Sequence, residues 1–468
     1  MQGLREQARL VHNRHISPVE LVERHLRRIA TVNPSLNAFS VLMAEQAEHE
    51  AHMAANSTAP FGPLHGVPVT VKDSFDVAGF PTLSGSRLRL GHAAAKDAFA
   101  VARLRQAGAI VLGKTNTPEF LRSYETDNHV SGRTNNPWDV SRTPGGSSGG
   151  EAAAIAAGFS AGGIGSDGGG SIRVPAHFCG IAGLKPTPGR ISVTGHFPAI
   201  SNPSGFASVV GPMARSADDL RLLFDVLVAY DPEDPYSVPL PPQPPASGKP
   251  RIGYWPTFYK VPVQQAVSEA LQHAAKLLSD LGHLVELFEP KGSERAPNAW
   301  KFVLSELPGE FFRMYFRGRE SEVHWTATEL GAPEPPSPLT ATDVLKQFAA
   351  RDRMRAGMIQ QMRDQDCTVL LTPVCGTVAF QHQQRSFETG GQAIGLFQAM
   401  MPALIWNLYG FPALTIPMHQ TTDGLPVGIQ LVGLPWSDET LLDIAVRLEE
   451  ARGPWTFPSL GQSDAIES

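Results

Sequence analysis

Apolar residues alternate along this chain between helical stripes and short continuous runs. Ser17-Pro18-Val19-Glu20 supplies an N-cap serine, a proline in the first turn and a capping-box glutamate, and Leu21, Val22, Leu26 and Ile29 follow at helical spacing. This pattern predicts the first helix of the chain. Gly66 to Asp73 (GVPVTVKD) reads as a buried strand closed by a charged pair, with Lys72 at its end. Val101, Leu104 and Ala107 predict a helix ending near Gly108, and Ala109 to Leu112 a short buried strand. Ser216 is placed to cap a helix carrying Leu220, Leu223, Val226 and Leu227.

The alternation continues in the second half. Ile252 to Trp255 and Leu284 to Phe288 read as strands, on either side of a helical stripe running from Val267 to Leu281. Thr415 to Met418 and Val427 to Val432 are late strands, and Ser437 is placed to cap a final helix with Leu441, Ile444, Ala445 and Leu448. Strands and helices that alternate through both halves predict an α/β fold, a mixed sheet covered by helices on both faces. Residues 231–250 hold eight prolines in 20 positions, a stiff crossing that resists helix and central strand. One large domain over residues 1–468 is the expected organisation. Ala399 to Met418 is uncharged and long enough to span a bilayer, but Pro402, Asn407, Gly410, Pro412 and Pro417 interrupt it. It is expected to be a buried loop and strand.

Composition narrows the function classes. The 468 residues are 42% hydrophobic and 18% charged, with net charge −6 and no basic run, which argues against a nucleic-acid or anionic-membrane surface. Cys179, Cys367 and Cys375 are too few and too scattered for a disulfide framework or a zinc site, and they suit a reducing, cytoplasmic setting. The N-terminus lacks the apolar stretch of a secretory signal.

Gly145 to Gly183 (GGSSGGEAAAIAAGFSAGGIGSDGGGSIRVPAHFCGIAG) is the most informative segment. It holds 13 of the 44 glycines in 39 residues and is too apolar for a solvated linker. Such a segment reads as buried backbone that approaches something closely and offers N–H groups to an anion. Its serines are then candidate nucleophiles with backbone donors beside them. Gly108 to Thr115 (GAIVLGKT) fits the P-loop pattern, but Ala-Ile-Val-Leu between its glycines is a strand rather than a phosphate loop. Gly163 to Gly168 fits G-x-G-x-x-G without the strand and long helix that motif needs. No G-x-S-x-G elbow is present, and His177 is the one histidine in the segment. A lysine at the end of an apolar strand can lose its proton near neutrality, so Lys72 fits a base as well as a surface lysine. The serines fit nucleophiles as well as turn caps.

Gly145-Gly146-Ser147-Ser148-Gly149-Gly150-Glu151, Gly165 to Ala176 (GSDGGGSIRVPA) and Gly183-Leu184-Lys185-Pro186-Thr187, in that order, resemble the amidase signature family. The likeness extends to the strand at Lys72, to Asn135-Asn136-Pro137-Trp138, to Asn407-Leu408-Tyr409-Gly410-Phe411-Pro412 and to Gly424 to Gln430. Its signature core lies at about 60–230, and it is weakest at about 290–400. It implies a Ser-cisSer-Lys triad, with Ser171 as nucleophile, Ser147, preceded by a cis peptide, as the bridging serine, and Lys72 as base. It further implies an oxyanion hole from the N–H groups of Gly168, Gly169, Gly170 and Ser171, braced by Asp167 and Arg173. A larger residue is commoner at Gly168, which predicts a looser turn.

What the resemblance implies is an amidase acting on a small-molecule amide through an acyl-serine without a cofactor; a homodimer is compatible with it. No HExxH or CxxC motif supports a metal, the composition points to no nucleic acid, and the N-terminal membrane helix that members of the fatty acid amide hydrolase branch often carry is not found, so no membrane anchor is expected. Phe120 to Trp138 resembles the fatty acid amide hydrolase branch. The alternative is the glutaminase component of a glutamyl-tRNA(Gln) amidotransferase complex, for which no convincing arginine stands near Phe387 to Asn407. Trp300, Phe302, Phe311, Phe312, Tyr315, Phe316 and Trp325 crowd 26 residues of the least family-like part. Phe312 and Phe316 are therefore candidate walls of an apolar acyl pocket, set against the plainer reading of a helix packed on the core.

Overall fold

The computed structural model describes residues 2–57, 61–201, 205–245, 248–330 and 339–460. One sheet of eleven strands organises them. Its first six strands are β1 (Phe39–Leu42), β2 (Pro68–Lys72), β3 (Ile110–Thr115), β4 (Gly162–Asp167), β5 (Ala182–Lys185) and β6 (Val209–Ala214). After the proline crossing come β7 (Arg251–Tyr254), β8 (Val285–Leu287) and β9 (Cys367–Pro373). A separate hairpin, β10 (Ser386–Thr389) and β11 (Gln392–Gly395), precedes β12 (Ala413–Gln420) and β13 (Pro426–Gly433).

The strand order is β1-β3-β2-β4-β6-β5-β12-β13-β9-β7-β8. β2 runs parallel to β3 and β4, β7 runs parallel to β8 and β9, and the strands from β4 through β9 pair antiparallel. The sheet is thus mixed, and it continues through both halves of the chain as one α/β domain. The proline-rich crossing leads from β6 and its following helix to β7, which lies well along the same sheet. It is tied to the preceding half where the Val238 N–H donates to Gly189 O at 3.0 Å.

Side-chain alternation sends neighbouring residues to opposite faces. Val111 of β3 enters a core with helices Phe99–Gln106, Ala217–Leu227, Gln265–Asp280 and Asp438–Arg452. Ile110 and Leu112 enter another with helices Pro18–Leu36, Ala44–Ala55 and Gly149–Ala157. Both faces are covered, as the pattern predicts.

Most predicted elements are present, including the capping box of Ser17 and Glu20 and the Ser216 cap. Both phosphate-loop matches lie largely within strands β3 and β4. Three expectations need correction. A helix, Leu4–His12, precedes the one expected to be first. Ser437 holds the N-cap position of the last helix, but its hydroxyl donates back to Leu434 O at 2.7 Å and caps nothing. Ala399 to Tyr409 belongs to a helix, Leu396–Tyr409, with Pro402 inside it, and strand begins only at Ala413. That helix is buried almost all round, so tertiary packing holds it despite the proline. At 14 residues it is shorter than a bilayer span, and among the described residues no helix is long and apolar enough to cross a membrane.

Candidate active site

Across Gly145–Gly183 every residue is buried except Gly168 and Ser171, which are partly exposed. The glycine-rich segment is therefore core, open at the turn where β4 ends. Gly168 and Ser171 line a cavity of about 700 Å³ together with Ser147, Ser166 and Gly169. Aromatic rings from distant segments, among them Phe120, Phe197, Trp300 and Phe312, form its apolar wall.

β2 carries Lys72 to this floor. The lysine is fully buried, and its Nζ donates to Ser147 Oγ at 2.7 Å and to Ser166 Oγ at 3.1 Å. Burial lowers its pKa to about 7, against the pull of the Asp167 and Glu151 charges. Glu151 is itself buried, accepting from the Thr70 hydroxyl at 2.6 Å and the Thr115 hydroxyl at 2.8 Å, and burial raises its pKa to about 7.

Ser147 follows a cis peptide bond from Gly146. A Cβ at Gly146 would stand 2.4 Å from Ser123 O, so this backbone approach admits only glycine. The Ser148 N–H donates to Ser171 O at 3.0 Å and ties the two serine segments together. His177, the segment's histidine, is unsuited as a base. Its Nδ1 accepts from the Gly428 N–H at 2.7 Å, its Nε2 lies 2.9 Å from Thr377 O, and burial lowers its pKa to about 4.

Asp167 and Arg173 brace the turn. Asp167 accepts from the Gly170 N–H at 2.7 Å, from the Ile172 N–H at 3.1 Å and from two Arg173 nitrogens at 3.0 Å. Burial works to raise the Asp167 pKa, but the Arg173 charge and these bonds hold it below the usual carboxylate range. Arg173 also reaches Asn407 Oδ1 and Gln430 Oε1, each at 2.6 Å, which gives the late sequence motifs their place.

One predicted donor is already engaged: the Gly170 N–H is committed to Asp167. The N–H groups of Gly168, Gly169 and Ser171 remain as candidates. The turn that Gly168 was expected to loosen has two ties from outside it. Trp300 donates its indole N–H to Gly168 O at 2.8 Å, and the Tyr124 hydroxyl donates to Gly169 O at 2.7 Å. A trans peptide points its N–H away from its carbonyl, so Trp300 fixes the direction of the Gly169 N–H.

Phe312 lines the cavity. Phe316 stands behind it, 8% exposed, in a cluster with Leu88, Phe120 and Ala327. The aromatic stretch is thus partly wall and partly core. Tyr124, Arg122 and the role of Trp300 went unseen in the sequence, where the one hint was Trp300's place in the aromatic run; Ser166, one of the serines of the glycine-rich segment, is placed as a second acceptor for Lys72. Arg385, two residues before Phe387, is paired with Glu125 and Glu329. Among the described residues no group of three or more His, Cys, Asp or Glu is placed to hold a metal ion.

A sequence model of the family named Amidase matches residues 20–442. The chain is 36% identical to the Mycobacterium tuberculosis protein AmiB2, a putative amidase by name, over 97% of this chain and 96% of that one. It is 34% identical to the A component of the glutamyl-tRNA(Gln) amidotransferase of Anaeromyxobacter dehalogenans, over 97% of each. Among solved structures, 6-aminohexanoate cyclic dimer hydrolase superposes with a TM-score of 0.86 at 29% identity, over 98% and 99% of the two chains. Fatty acid amide hydrolase shares the fold, with a TM-score of 0.81 at 23% identity over 97% of this chain and 85% of that one. Matched along nearly its whole length in both sequence and fold, the chain belongs to the amidase signature family and is an amidase.

Proposed function

We propose that this amidase cleaves its substrate through an acyl intermediate on Ser171, with Ser147 and Lys72 as a proton relay. The observation that carries the reading is the 2.7 Å contact from Lys72 Nζ to Ser147 Oγ at the floor of a cavity that Ser171 also lines. With a pKa near 7, neutral Lys72 is available as a base at physiological pH. It takes the Ser147 proton while Ser147 takes that of Ser171, and Ser171 Oγ attacks the amide carbonyl carbon. The N–H groups of Gly168, Gly169 and Ser171 receive the developing oxyanion. The proton returns through Ser147 to the leaving nitrogen, the C–N bond breaks, and water then hydrolyses the acyl ester.

The mostly apolar wall favours amides with a bulky apolar or aromatic group over acetamide. Glutamine hydrolysis within an amidotransferase complex is the second reading, favoured by relatives of that name at 34% identity. Against it, Asp167 is locked to Arg173, and among the described residues lining the cavity no other acid stands ready for a free amino group. The test is fluorophosphonate labelling of wild type and Ser171→Ala, followed by turnover of aryl anilides, fatty amides and glutamine. Labelling confined to wild type, with anilides or fatty amides cleaved, is expected. Full labelling of Ser171→Ala would overturn the nucleophile assignment, and glutamine as the preferred substrate would establish the second reading. The three unpaired cysteines fit a cytoplasmic site of action.

A further inference from the structure

Three arginines among the described residues are buried: Arg122, Arg173 and Arg190. Arg173 faces Asp167 at 3.0 Å, and Arg190 lies between Glu439 at 2.5 Å and Asp438 at 3.6 Å. Arg122 has no carboxylate within ion-pair distance among the described residues, although it is only 7% exposed. A buried cation left without an anion is costly, which is why such groups are ordinarily paired.

The surroundings of Arg122 give it a direction. Its Nε donates to Ala327 O at 2.9 Å, and its guanidinium carbon lies 4.7 Å from the centre of the Phe312 ring. These contacts fix the plane of the side chain and leave its two terminal nitrogens for a bidentate acceptor. Burial first, and then the like charge of Arg313, lower its pKa to about 10, so it is still charged at neutral pH. Arg313 has a partner of its own in Glu310. Arg122 lines the same cavity as Ser147 and Ser171. It is two residues from Tyr124, whose hydroxyl holds Gly169 O, and two residues span at most about 7 Å.

We propose that Arg122 is an anion subsite of the catalytic cavity, so that the substrate is an apolar amide bearing a carboxylate some bonds away from the scissile carbonyl. This rests on the amide-cleaving reading of the cavity and narrows its substrate class to amidic acids and related amides of carboxylate-bearing compounds. Phe312 stacks on the guanidinium that receives the ligand carboxylate, and the aromatic wall holds the carbon chain between the two polar ends.

The experiment uses the monoanilides of dicarboxylic acids of four, six and eight carbons, each paired with its methyl ester. Binding is measured by calorimetry to the full-length Ser171→Ala protein, where no turnover is needed, and cleavage is measured on wild type. The carboxylate should bind about 10- to 100-fold more tightly than the ester at the best chain length, the range of a charge-assisted hydrogen bond. Adding Arg122→Met should bring that ratio to within about threefold of one, whereas Arg122→Lys should keep part of it. Equal binding of carboxylate and ester overturns the proposal. So does a loss in Arg122→Met that is the same for both ligands, since that marks a purely structural tie to Ala327. If wild type cleaves the esters without favouring the carboxylates, the subsite falls and the amide-cleaving reading stands. If Arg122-dependent carboxylate binding is found and neither compound is cleaved, the subsite stands and the reading of the reaction is at fault.

Discussion

Trp300 and Gly168 are 132 residues apart in the chain, and the indole N–H of one donates to the carbonyl of the other at 2.8 Å. A glycine has no side chain with which to fix its own peptide planes, and this bond does so from outside. Trp300→Phe keeps an aromatic ring and removes the donor. It should lower kcat by about tenfold, less than the loss of a whole oxyanion donor, with KM and melting temperature nearly unchanged. A kcat within twofold of wild type would reduce Trp300 to packing.

The three glycines of the turn should differ sharply. A Cβ at Gly168 would meet the Ser208 hydroxyl at 2.9 Å, a group that can rotate away. At Gly169 it would meet the Trp300 ring at 2.5 Å, and Gly170 has φ +103° with Ala403 Cβ at 2.8 Å. Gly168→Ala should therefore label with a fluorophosphonate at near the wild-type rate, while Gly169→Ala and Gly170→Ala should label about a hundredfold more slowly or misfold.

Lys72→Ala and Ser147→Ala should each cost about 10³–10⁵ in kcat, and the double variant should be no more than a few-fold worse than either single one. Members of one proton relay fail together, so their losses do not add. Additive losses in a double-mutant cycle would count against the relay.

Activity should fall on the acid side as Lys72 gains a proton. Burial holds its pKa near 7, the base is the neutral form, and kcat/KM should therefore drop about tenfold per unit below that pH. The ionised Glu151 carboxylate favours the protonated lysine, but its own pKa also stands near 7. Glu151→Gln should therefore raise activity around and just above pH 7, and variant and wild type should converge well below it, where Glu151 is itself protonated. Equal activity around pH 7, or a limb that moves up, would exclude this coupling.

Phe312 and Phe316, four residues apart on one helix, should separate function from stability. Phe312 lines the cavity, so Phe312→Ala should change the ranking of amide substrates with a modest change in melting temperature. Phe316 is buried behind it, and Phe316→Ala should cost about 3–5 kcal/mol of stability and leave the ranking as it was. Substrate competition assays and thermal melts on both variants decide the matter.

Much of this protein was legible in its residues. Val69 and Val71 beside Lys72, the valines of β13 and the stripe from Val267 announce strands and helices because periodicity is a local property, set by which face must leave water. Gly145 to Gly183 declared itself buried for the same reason, and the order of its motifs carried the family. What the sequence left open depends on groups that meet only after folding. The Leu396–Tyr409 helix survives Pro402 because it is packed on nearly every side, a tertiary effect no local rule contains. The Gly170 N–H is spent on Asp167, the Gly168 carbonyl is held by Trp300, and Arg122 has no anion among the described residues. Each is a relation of direction and distance between atoms, often far apart in the chain, and a hydrogen bond or charge acts over a few ångströms of space whatever the separation in sequence. Residue types determined which chemistry this chain could hold, and the tertiary packing decided which donors, acceptors and charges remain to perform it.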